Sequence, residues 1–241
     1  MQAEGKVAVV VPCYNEESTI GRVVAEYRAQ PGIDRVIVVD NNSRDRSGEV
    51  ARAGGAEVLL ETRQGYGEAL RAGLSHAAAT GADILVVTEA DGSFRASDIP
   101  KLLAYLKDCS VVLGTRTTRQ MVQQGANMDW KLRWGNVAMA KLLELFWFFP
   151  HEPRLTDVGC SFRAVWARTW VDLAPKLRES GPSFSPEMIC EAYRQGLRVI
   201  EIPVHYGERL GGESKHSSSF RHVARTAWRM FKTICRKRFP G

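Results

Sequence analysis

The sequence predicts an α/β fold built on a doubly wound, mostly parallel sheet with helices on both faces. Its apolar runs, such as Val7–Val11 and Val36–Val39, are continuous and β-branched rather than alternating with polar residues. Strands of this kind are covered on both faces. A helical pattern separates each run from the next, as the crossover between parallel strands requires. The composition, 44% hydrophobic and 25% charged over 241 residues, is that of a folded globular chain.

The first half of the chain alternates predicted strands and helices in a regular order. Local signals bound the helices: Ser18 and Thr19 stand near the start of the first, and Gly54-Gly55 ends the second. The predicted strands are Val7–Val11, Val36–Val39, Val58–Leu60, Ile84–Val87 and Val111–Leu113, and the predicted helices are Glu16–Arg28, Arg44–Ala53, Gly67–Thr80 and Asp98–Asp108.

The second half of the chain has a different character. Trp130–Phe149 is a long helical pattern that carries six aromatic side chains, and Val199–Val204 predicts a further strand. From Phe220 onward, apolar residues recur every three or four positions, which is typical of an amphipathic helix. We therefore expect one domain over residues 1–217 and a basic, amphipathic carboxy-terminal helix over residues 218–241.

Polar clusters follow the predicted strands at the points where they end. The carboxyl ends of parallel strands share one edge of a sheet, and ligands bind outside that edge. We therefore expect a single site assembled from several loops. The clusters are Tyr14-Asn15-Glu16, Asp40-Asn41-Asn42-Ser43, Glu89-Ala90-Asp91 and Thr115-Arg116.

Two acids, Glu89 and Asp91, stand one residue apart after the apolar run Ile84–Val87. A buried strand has no use for acids at its end. Hard cations such as Mg²⁺ and Mn²⁺, however, take carboxylate oxygens and gain further ligands from a substrate diphosphate. The alternative is that the two acids cap the following turn, because Asp91-Gly92 is a turn dipeptide.

Five stretches of the sequence, taken together, resemble a known family. They are VVVPCYNEEST, VIVVDNNSRDRSGEV, GYGEALRAGL, VVTEADGSF followed by GTR, and the pair DVGCSFRA and PVHYGERLGGESK. Their order and spacing are similar to those of family 2 glycosyltransferases of the GT-A fold, which is Rossmann-like, in the branch of dolichyl-phosphate mannose synthases and bacterial polyprenyl-phosphate sugar transferases. This chain has Glu-x-Asp where the family has Asp-x-Asp, and Gly65-Tyr66-Gly67 where many relatives have Gly-Lys-Gly.

The resemblance implies a metal-dependent, inverting glycosyltransferase that moves a hexose from a UDP- or GDP-sugar to an acceptor, with a polyprenyl or dolichyl phosphate as the first choice. It implies that Glu89 and Asp91 hold Mg²⁺ or Mn²⁺. Catalytic roles fall to Asp91 and to Arg116, whose charge would offset that of the leaving diphosphate. The donor-binding residues it implies are Pro12, Tyr14, Glu16, Asp40, Asn42, Gly67, Glu89, Ala90, Asp91, Arg209 and Lys215.

Two classes of acceptor stay open. The oxygen of a polyprenyl phosphate is already anionic and needs cations around it, for which Arg133 and Arg163 are the candidates. A hydroxyl acceptor, on a sugar or a small metabolite, needs a general base within hydrogen-bond reach. Asp157 is the candidate for that catalytic role. Asp157 could instead cap a helix over Val158–Trp170.

The carboxy-terminal segment Phe220–Phe239 contains seven Lys and Arg residues and no acid. Such a segment predicts an anionic partner, and the alternative is a solvated helix face. Its aromatic residues among cations are typical of lipid interfaces, so we expect attachment to an anionic membrane surface. Nucleic acid is excluded as a partner because acids at the strand ends would repel a phosphate backbone.

The five cysteines are scattered and form no CxxC pair, which indicates reduced thiols rather than disulfides or a zinc site. No apolar run approaches the roughly 20 residues of a membrane-spanning helix. We therefore expect a cytoplasmic protein that is peripheral on the inner face of the plasma membrane. The aromatic helix Trp130–Phe149 could also join two chains in a homodimer.

Overall fold

Residues 4–126, 130–211 and 220–239 are described by this computed structural model of the chain. The strands are β1 (Val7–Cys13), β2 (Arg35–Asp40), β3 (Glu57–Leu60), β4 (Ile84–Val87), β5 (Val111–Thr115), β6 (Arg163–Trp166) and β7 (Val199–Pro203). The α-helices are α1 (Ile20–Ala29), α2 (Ser47–Ala53), α3 (Tyr66–Ala79), α4 (Ile99–Leu106), α5 (Trp130–His151), α6 (Ala167–Leu173), α7 (Phe184–Arg194) and α8 (Phe220–Arg238).

The strands form one seven-stranded sheet in the order β3-β2-β1-β4-β6-β5-β7. It is mostly parallel: β1 pairs in parallel with β2 and β4, β2 with β3, and β5 with β7, whereas β6 runs antiparallel to β4 and β5. This confirms the predicted doubly wound α/β sheet. The chain order of the strands reverses at β1, and ligands bind at such a switch point. The crevice lies between β1 and β4, where Val10 stands opposite Val87, and on the other side of β1 Cys13 lies opposite Asp40 of β2.

The sheet is covered on both faces, as its continuous apolar strands predict. Val9 and Val11 of β1 belong to the core layer that includes residues of α1 and α4, and Ala8 and Val10 belong to the layer that includes residues of α3. These four residues have no exposed surface. Full burial of a valine contributes about 1.5–3 kcal/mol, so the centre of the sheet is a rigid base for the loops that follow it.

The helix over Val158–Trp170, which Asp157 would cap in the alternative interpretation of that residue, is not formed. Arg163–Trp166 instead forms β6, inserted between β4 and β5, and a helix begins only at Ala167. In β6, Ala164 packs into one core layer and Val165 into the other. Pairing with a strand on each side and burial on both faces outweigh the local helical pattern.

Helix α7 has no counterpart among the predicted elements. Every residue from Phe184 to Tyr193 is buried, including the acids Glu187 and Glu191. A helix that is buried all round lacks the one-sided apolar stripe from which an amphipathic helix is recognised. Pro186 lies in its first turn, where it is tolerated because the first N–H groups have no acceptor within the helix.

The carboxy-terminal helix α8 is present and amphipathic, as predicted, and it packs against α5 and α7. Its inner side buries Ile234 completely, and its outer side exposes Arg225, Trp228 and Lys232. The helix is therefore joined to the body of the domain along one side. Within the described ranges, no helix is long and apolar enough to cross a membrane.

Candidate active site

A pocket of about 400 Å³ opens at the carboxyl edge of the sheet, beside the switch point. Its volume is within the range of small-ligand sites, about 300–1,000 Å³. The loops after β1, β2 and β4 contribute to it, together with the start of α3 and two further segments. Its lining includes Pro12, Cys13, Tyr14, Glu16, Asn41, Gln64, Gly65, Tyr66, Ala69, Glu89, Ala90, Asp91, Gly181, Pro182 and Arg209.

The two predicted metal ligands lie side by side in this lining. Asp91 is 2% exposed, and its Oδ1 accepts hydrogen bonds from Ser93 N at 2.9 Å and Ser93 Oγ at 2.6 Å. Glu89 Oε1 accepts one from Ser161 Oγ at 2.6 Å. Burial, and then the adjacent Asp91 carboxylate, raise the pKa of Glu89. Two like charges held this close require a cation or a proton.

The residues present fit a divalent cation. Asp91 Oδ2 is buried and receives no hydrogen bond from the described residues. Mg²⁺ is commonly held by one or two carboxylates, with substrate phosphates and waters completing the shell. In the described part of the chain, no group of three or more His, Cys, Asp or Glu side chains is placed to hold a metal ion, and Glu89 and Asp91 are the two acids that would hold one in this pocket.

Arg209 lines the pocket and lies between Asp91 and Glu16. Its Nη1 is 2.7 Å from Asp91 Oδ2, an ion-pair contact without hydrogen-bond geometry, and its Nη2 donates to Glu16 Oε1 at 3.1 Å. Backbone bonds fix this segment: Leu210 N donates to Asp91 O at 2.9 Å. The guanidinium is thereby held where a diphosphate bound to the acids would need a cation.

A glycine permits the close packing of these two segments. Gly92 has a φ of 72°, and a Cβ there would lie 2.3 Å from Leu210 Cδ1. Only glycine adopts this backbone conformation without cost and leaves room for the leucine. The loop that carries Asp91 and the segment that carries Arg209 therefore form one unit.

The loop after β1 is tied to the acid loop by Thr19. This residue has no exposed surface, and its Oγ1 donates to Ala90 O at 2.8 Å. Glu16, whose backbone N–H donates to Ser47 Oγ at 2.8 Å, lies one turn away. The sequence signals Thr19 only as a residue near a helix start, because its acceptor is 71 residues away along the chain.

Asn41, rather than its predicted neighbours, lines the pocket at the end of β2. Its side chain donates to Glu61 O at 2.9 Å and accepts from Gly65 N at 2.8 Å, which fixes the approach to α3. Asp40 lies just outside the lining, where its Oδ1 accepts from Ser43 N at 2.9 Å. Asn42 is exposed, with a φ of 61°.

Gly67, one of the donor-binding residues that the resemblance implies, is closely approached by the protein itself. Gly67 N donates to Ser180 O at 2.7 Å, and a Cβ on Gly67 would lie 2.1 Å from Glu179 O. The glycine is thus required by packing between α3 and the segment before α7. It stands behind the pocket wall rather than in it.

Arg116 and Asp157 form a buried ion pair. Arg116 Nε donates to Asp157 Oδ2 at 2.8 Å, and its Nη2 donates to Oδ1 at 2.9 Å. Although burial lowers it, the Asp157 carboxylate holds the pKa of Arg116 well above its usual range. Both carboxylate oxygens are committed to this pair, an arrangement that does not favour Asp157 as a base or Arg116 as a free phosphate ligand.

Comparison with known proteins identifies the family. The sequence model of Glycosyl transferase family 2 matches residues 8–168. The chain belongs to glycosyltransferase family 2. It is 39% identical over 216 residues to an uncharacterised glycosyltransferase of Mycobacterium bovis, a match that covers 89% of this chain and 91% of that protein. It is 30% identical over 223 residues to an undecaprenyl-phosphate mannosyltransferase of Micrococcus luteus, with 88% of each chain covered.

A solved structure supports the same fold. The chain is similar to glucosyl-3-phosphoglycerate synthase from Mycobacterium tuberculosis, crystallised with Mn²⁺, UDP and glucosyl-3-phosphoglycerate. The TM-score is 0.72, and the match covers 97% of this chain and 80% of that one at 21% identity. This likeness confirms the predicted GT-A fold of the family 2 glycosyltransferase.

The predicted acceptor cations of this family 2 glycosyltransferase are not gathered at the pocket. Arg163 has no exposed surface, because its side chain lies against Ser185 and Met188 of α7, and it donates to the backbone oxygens of Cys160, Ser161 and Ser185. It is therefore an unsuitable ligand for an entering phosphate. Arg133 lies half-buried on α5. Lys215 lies outside the described residues.

Proposed function

We propose that this family 2 glycosyltransferase moves a hexose from a UDP- or GDP-sugar to a lipid phosphate, with Mg²⁺ or Mn²⁺ and with inversion at the anomeric carbon. One observation carries the proposal. Buried Asp91, with an oxygen that receives no hydrogen bond, lies in a pocket beside Glu89 and under the Arg209 guanidinium. A nucleoside diphosphate has the size and the charge that this arrangement requires.

Each side chain has a role in this proposal. Asp91, helped by Glu89, would hold the divalent cation, which when bound supplies positive charge to the leaving diphosphate. Arg209 exchanges its contact with Asp91 for one with the diphosphate and adds charge-assisted hydrogen bonds there. Pro12, Tyr14 and the peptide of Ala90 line the side of the pocket that would receive the nucleoside.

A phosphate acceptor fits an enzyme in which the candidate general base, Asp157, is already paired. Its oxygen is anionic at neutral pH and attacks without a general base, so the commitment of Asp157 to Arg116 is no obstacle. A hydroxyl acceptor would require that pair to open before Asp157 could take a proton. The relative from Micrococcus luteus, named an undecaprenyl-phosphate mannosyltransferase, supports the first choice.

A transfer assay tests the proposal. The protein is incubated with Mn²⁺, UDP- and GDP-hexoses, and either undecaprenyl phosphate in detergent or soluble sugars. We expect a glycolipid from one donor, with its anomeric configuration, read by NMR, opposite to that of the donor. A product with retained configuration contradicts a single displacement, and transfer to soluble sugars alone contradicts the lipid acceptor.

We propose further that α8 attaches the enzyme to an anionic membrane surface. Its outer side presents Arg225, Lys232 and an aromatic ring, with Trp228 56% exposed. Lys232 Nζ lies 5.3 Å from the centre of the Trp228 ring. A ring among cations suits the headgroup region of a bilayer.

Vesicle co-sedimentation tests this attachment. The double variant Trp228→Ala, Lys232→Gln should lose binding to phosphatidylglycerol vesicles, whereas Leu60→Ala, which removes an equally exposed apolar side chain on β3, should keep it. Equal binding of both variants contradicts attachment through α8. A homodimer through the aromatic helix α5 is the alternative to a membrane contact by that helix. Sedimentation velocity of the wild type, which measures the mass of the particle in solution, distinguishes the two.

A further inference from the structure

The segment between α6 and α7 forms one rim of the pocket. We call residues 177–183 the rim loop. Gly181 and Pro182 of this loop line the pocket. On the side of α3, Ser180 O accepts from Gly67 N at 2.7 Å, and Glu179 O accepts from Arg71 Nη1 at 2.9 Å. The start of α3 and the rim loop therefore move together or not at all.

A buried carboxylate holds the rim loop from behind. Glu187 has no exposed surface and accepts the backbone N–H of Arg178 at 2.9 Å and that of Glu179 at 2.8 Å. These bonds use the charge of Glu187 to fix two consecutive peptides. Burying a carboxylate at such a depth without a cation beside it is costly. The hold on the loop therefore depends on a cation near Glu187.

That cation comes from the carboxy-terminal helix. Lys237 Nζ lies 3.3 Å from Glu187 Oε1 and 3.1 Å from Glu191 Oε2, and it donates to Lys176 O at 2.6 Å. Two of the ammonium hydrogens thus have hydrogen-bond acceptors, the contact with Glu187 is an ion pair, and the side chain is only 9% exposed. Lys237 thus joins both Glu187 and the residue that precedes the rim loop to α8, and Arg236 Nη2 lies farther from Glu187 Oε1, at 3.9 Å.

A second contact of α8 reaches the rim loop directly. Glu179 Oε1 accepts from Thr233 Oγ1 at 3.1 Å and from Arg236 Nη2 at 2.6 Å. Thr233 and Lys237 are four residues apart and so lie on one side of the helix. This side of α8 faces the rim loop, while Trp228 and Lys232 face outward.

We propose that Lys237 is a positioning residue for the pocket: through Glu187 it holds the rim loop, and with it Gly181 and Pro182, at the distance that a bound nucleotide requires. A buried lysine between two acids is a poor way to gain stability, since its desolvation offsets most of the attraction. Its use here is to fix geometry. The inference rests on the proposed function only in taking the ligand of the pocket to be a nucleotide.

Amide hydrogen exchange on the ligand-free protein tests the first half of this proposal. In Lys237→Met, exchange in peptides that cover the rim loop and residues 65–70 should rise by about tenfold or more, because local opening sets these rates. Peptides of β1 should be unchanged, and Lys237→Arg should restore most of the protection. Lys107→Met, an exposed lysine at the end of α4, is the matched control. A uniform rise over all peptides, or none at the rim loop, overturns the proposal.

Calorimetry with UDP and GDP in the presence of Mn²⁺ tests the second half. Lys237→Met should raise the Kd of the bound nucleotide by about fivefold to twentyfold, and Lys237→Arg should recover most of the affinity. A loosened rim loop with unchanged affinity overturns the positioning role. A loosened rim loop in a protein whose wild type binds neither nucleotide supports the hold on the loop and counts against the proposed function instead.

A milder variant keeps the proposal open to test should Lys237→Met fail to fold. Thr233→Val keeps the shape of a buried side chain and removes one hydrogen bond to Glu179. It should raise exchange in the rim loop by a smaller factor, in the same peptides. Unchanged exchange there in Thr233→Val contradicts a hold by α8.

Discussion

Replacing Arg209 by methionine removes the cation that lies between two pocket acids. The guanidinium is 2.7 Å from Asp91 and 3.1 Å from Glu16, and the three side chains are 20%, 3% and 9% exposed. Removing one partner of a buried pair costs about 3–5 kcal/mol, and the partial exposure of Arg209 reduces this to about 2–3 kcal/mol. For a chain of this length, the melting temperature should fall by roughly 4–12 °C.

The same variant separates two uses of Asp91. Without the guanidinium, Asp91 Oδ2 is open to a cation, so Mn²⁺ alone should raise the melting temperature of Arg209→Met more than that of the wild type. The affinity for nucleotide should instead be lower in Arg209→Met than in the wild type. Loss of a charged hydrogen-bond donor to the diphosphate costs about 1.5–3 kcal/mol, which raises Kd about 10- to 150-fold.

Scanning calorimetry with EDTA or Mn²⁺, followed by titration with UDP and GDP, measures both effects. Arg209→Lys keeps the charge and should lie between the variant and the wild type. Arg46→Met removes an exposed arginine that pairs with Glu17 and should change neither quantity. The reasoning is refuted if Arg209→Met has the same melting temperature as the Arg46→Met control and binds nucleotide with the affinity of the wild type.

Three further predictions concern the supports of the site. Thr19→Val removes the hydrogen bond to Ala90 O, so nucleotide affinity measured calorimetrically with Mn²⁺ should fall by about 1 kcal/mol; unchanged affinity contradicts the link between the two loops. Gly67→Ala forces a Cβ to within 2.1 Å of a backbone oxygen, and urea unfolding should show a loss of about 1–3 kcal/mol; a wild-type midpoint contradicts that packing. Burial raises the pKa of Asp98, but hydrogen bonds from Lys101 and His205 outweigh it and lower that pKa. The charge of Asp98 therefore stabilises the fold at pH values above the unfolded pKa of about 3.9. This stabilisation is lost as the pH falls through the lowered pKa of the folded state. Wild type should therefore exceed Asp98→Asn in urea midpoint at pH 7 and approach it in acid; a difference independent of pH contradicts this.

The sheet could be predicted because its signals are local. Continuous β-branched runs mark β1, β2 and β4, and the burial of Val9 and Val10 on opposite faces is the reason for that pattern. The acids Glu89 and Asp91 were found for the same reason: polar residues directly after a buried strand stand out. Structural features that are set by neighbouring residues in the sequence can therefore be predicted from the sequence.

Long-range partners could not be predicted in this way. The charges of Arg116 and Asp157 suggested two separate roles, but the two side chains, 41 residues apart, neutralise each other. Arg163 is basic in sequence and therefore suggested a phosphate ligand, but in the fold it is buried against α7, whose packing no local pattern shows. Asn41 supports the pocket through contacts more than 20 residues away, for which no local pattern exists.

The most direct test of the account is calorimetric binding of UDP and GDP, with and without Mn²⁺, to the wild type and to Asp91→Ala. Asp172→Ala, which removes an exposed acid on α6, is the control. The account predicts that one nucleotide binds only with Mn²⁺, that the control binds it equally, and that Asp91→Ala does not. Failure of the wild type to bind either nucleotide with Mn²⁺ present, or equal binding by Asp91→Ala, would contradict a metal-bridged donor in this pocket.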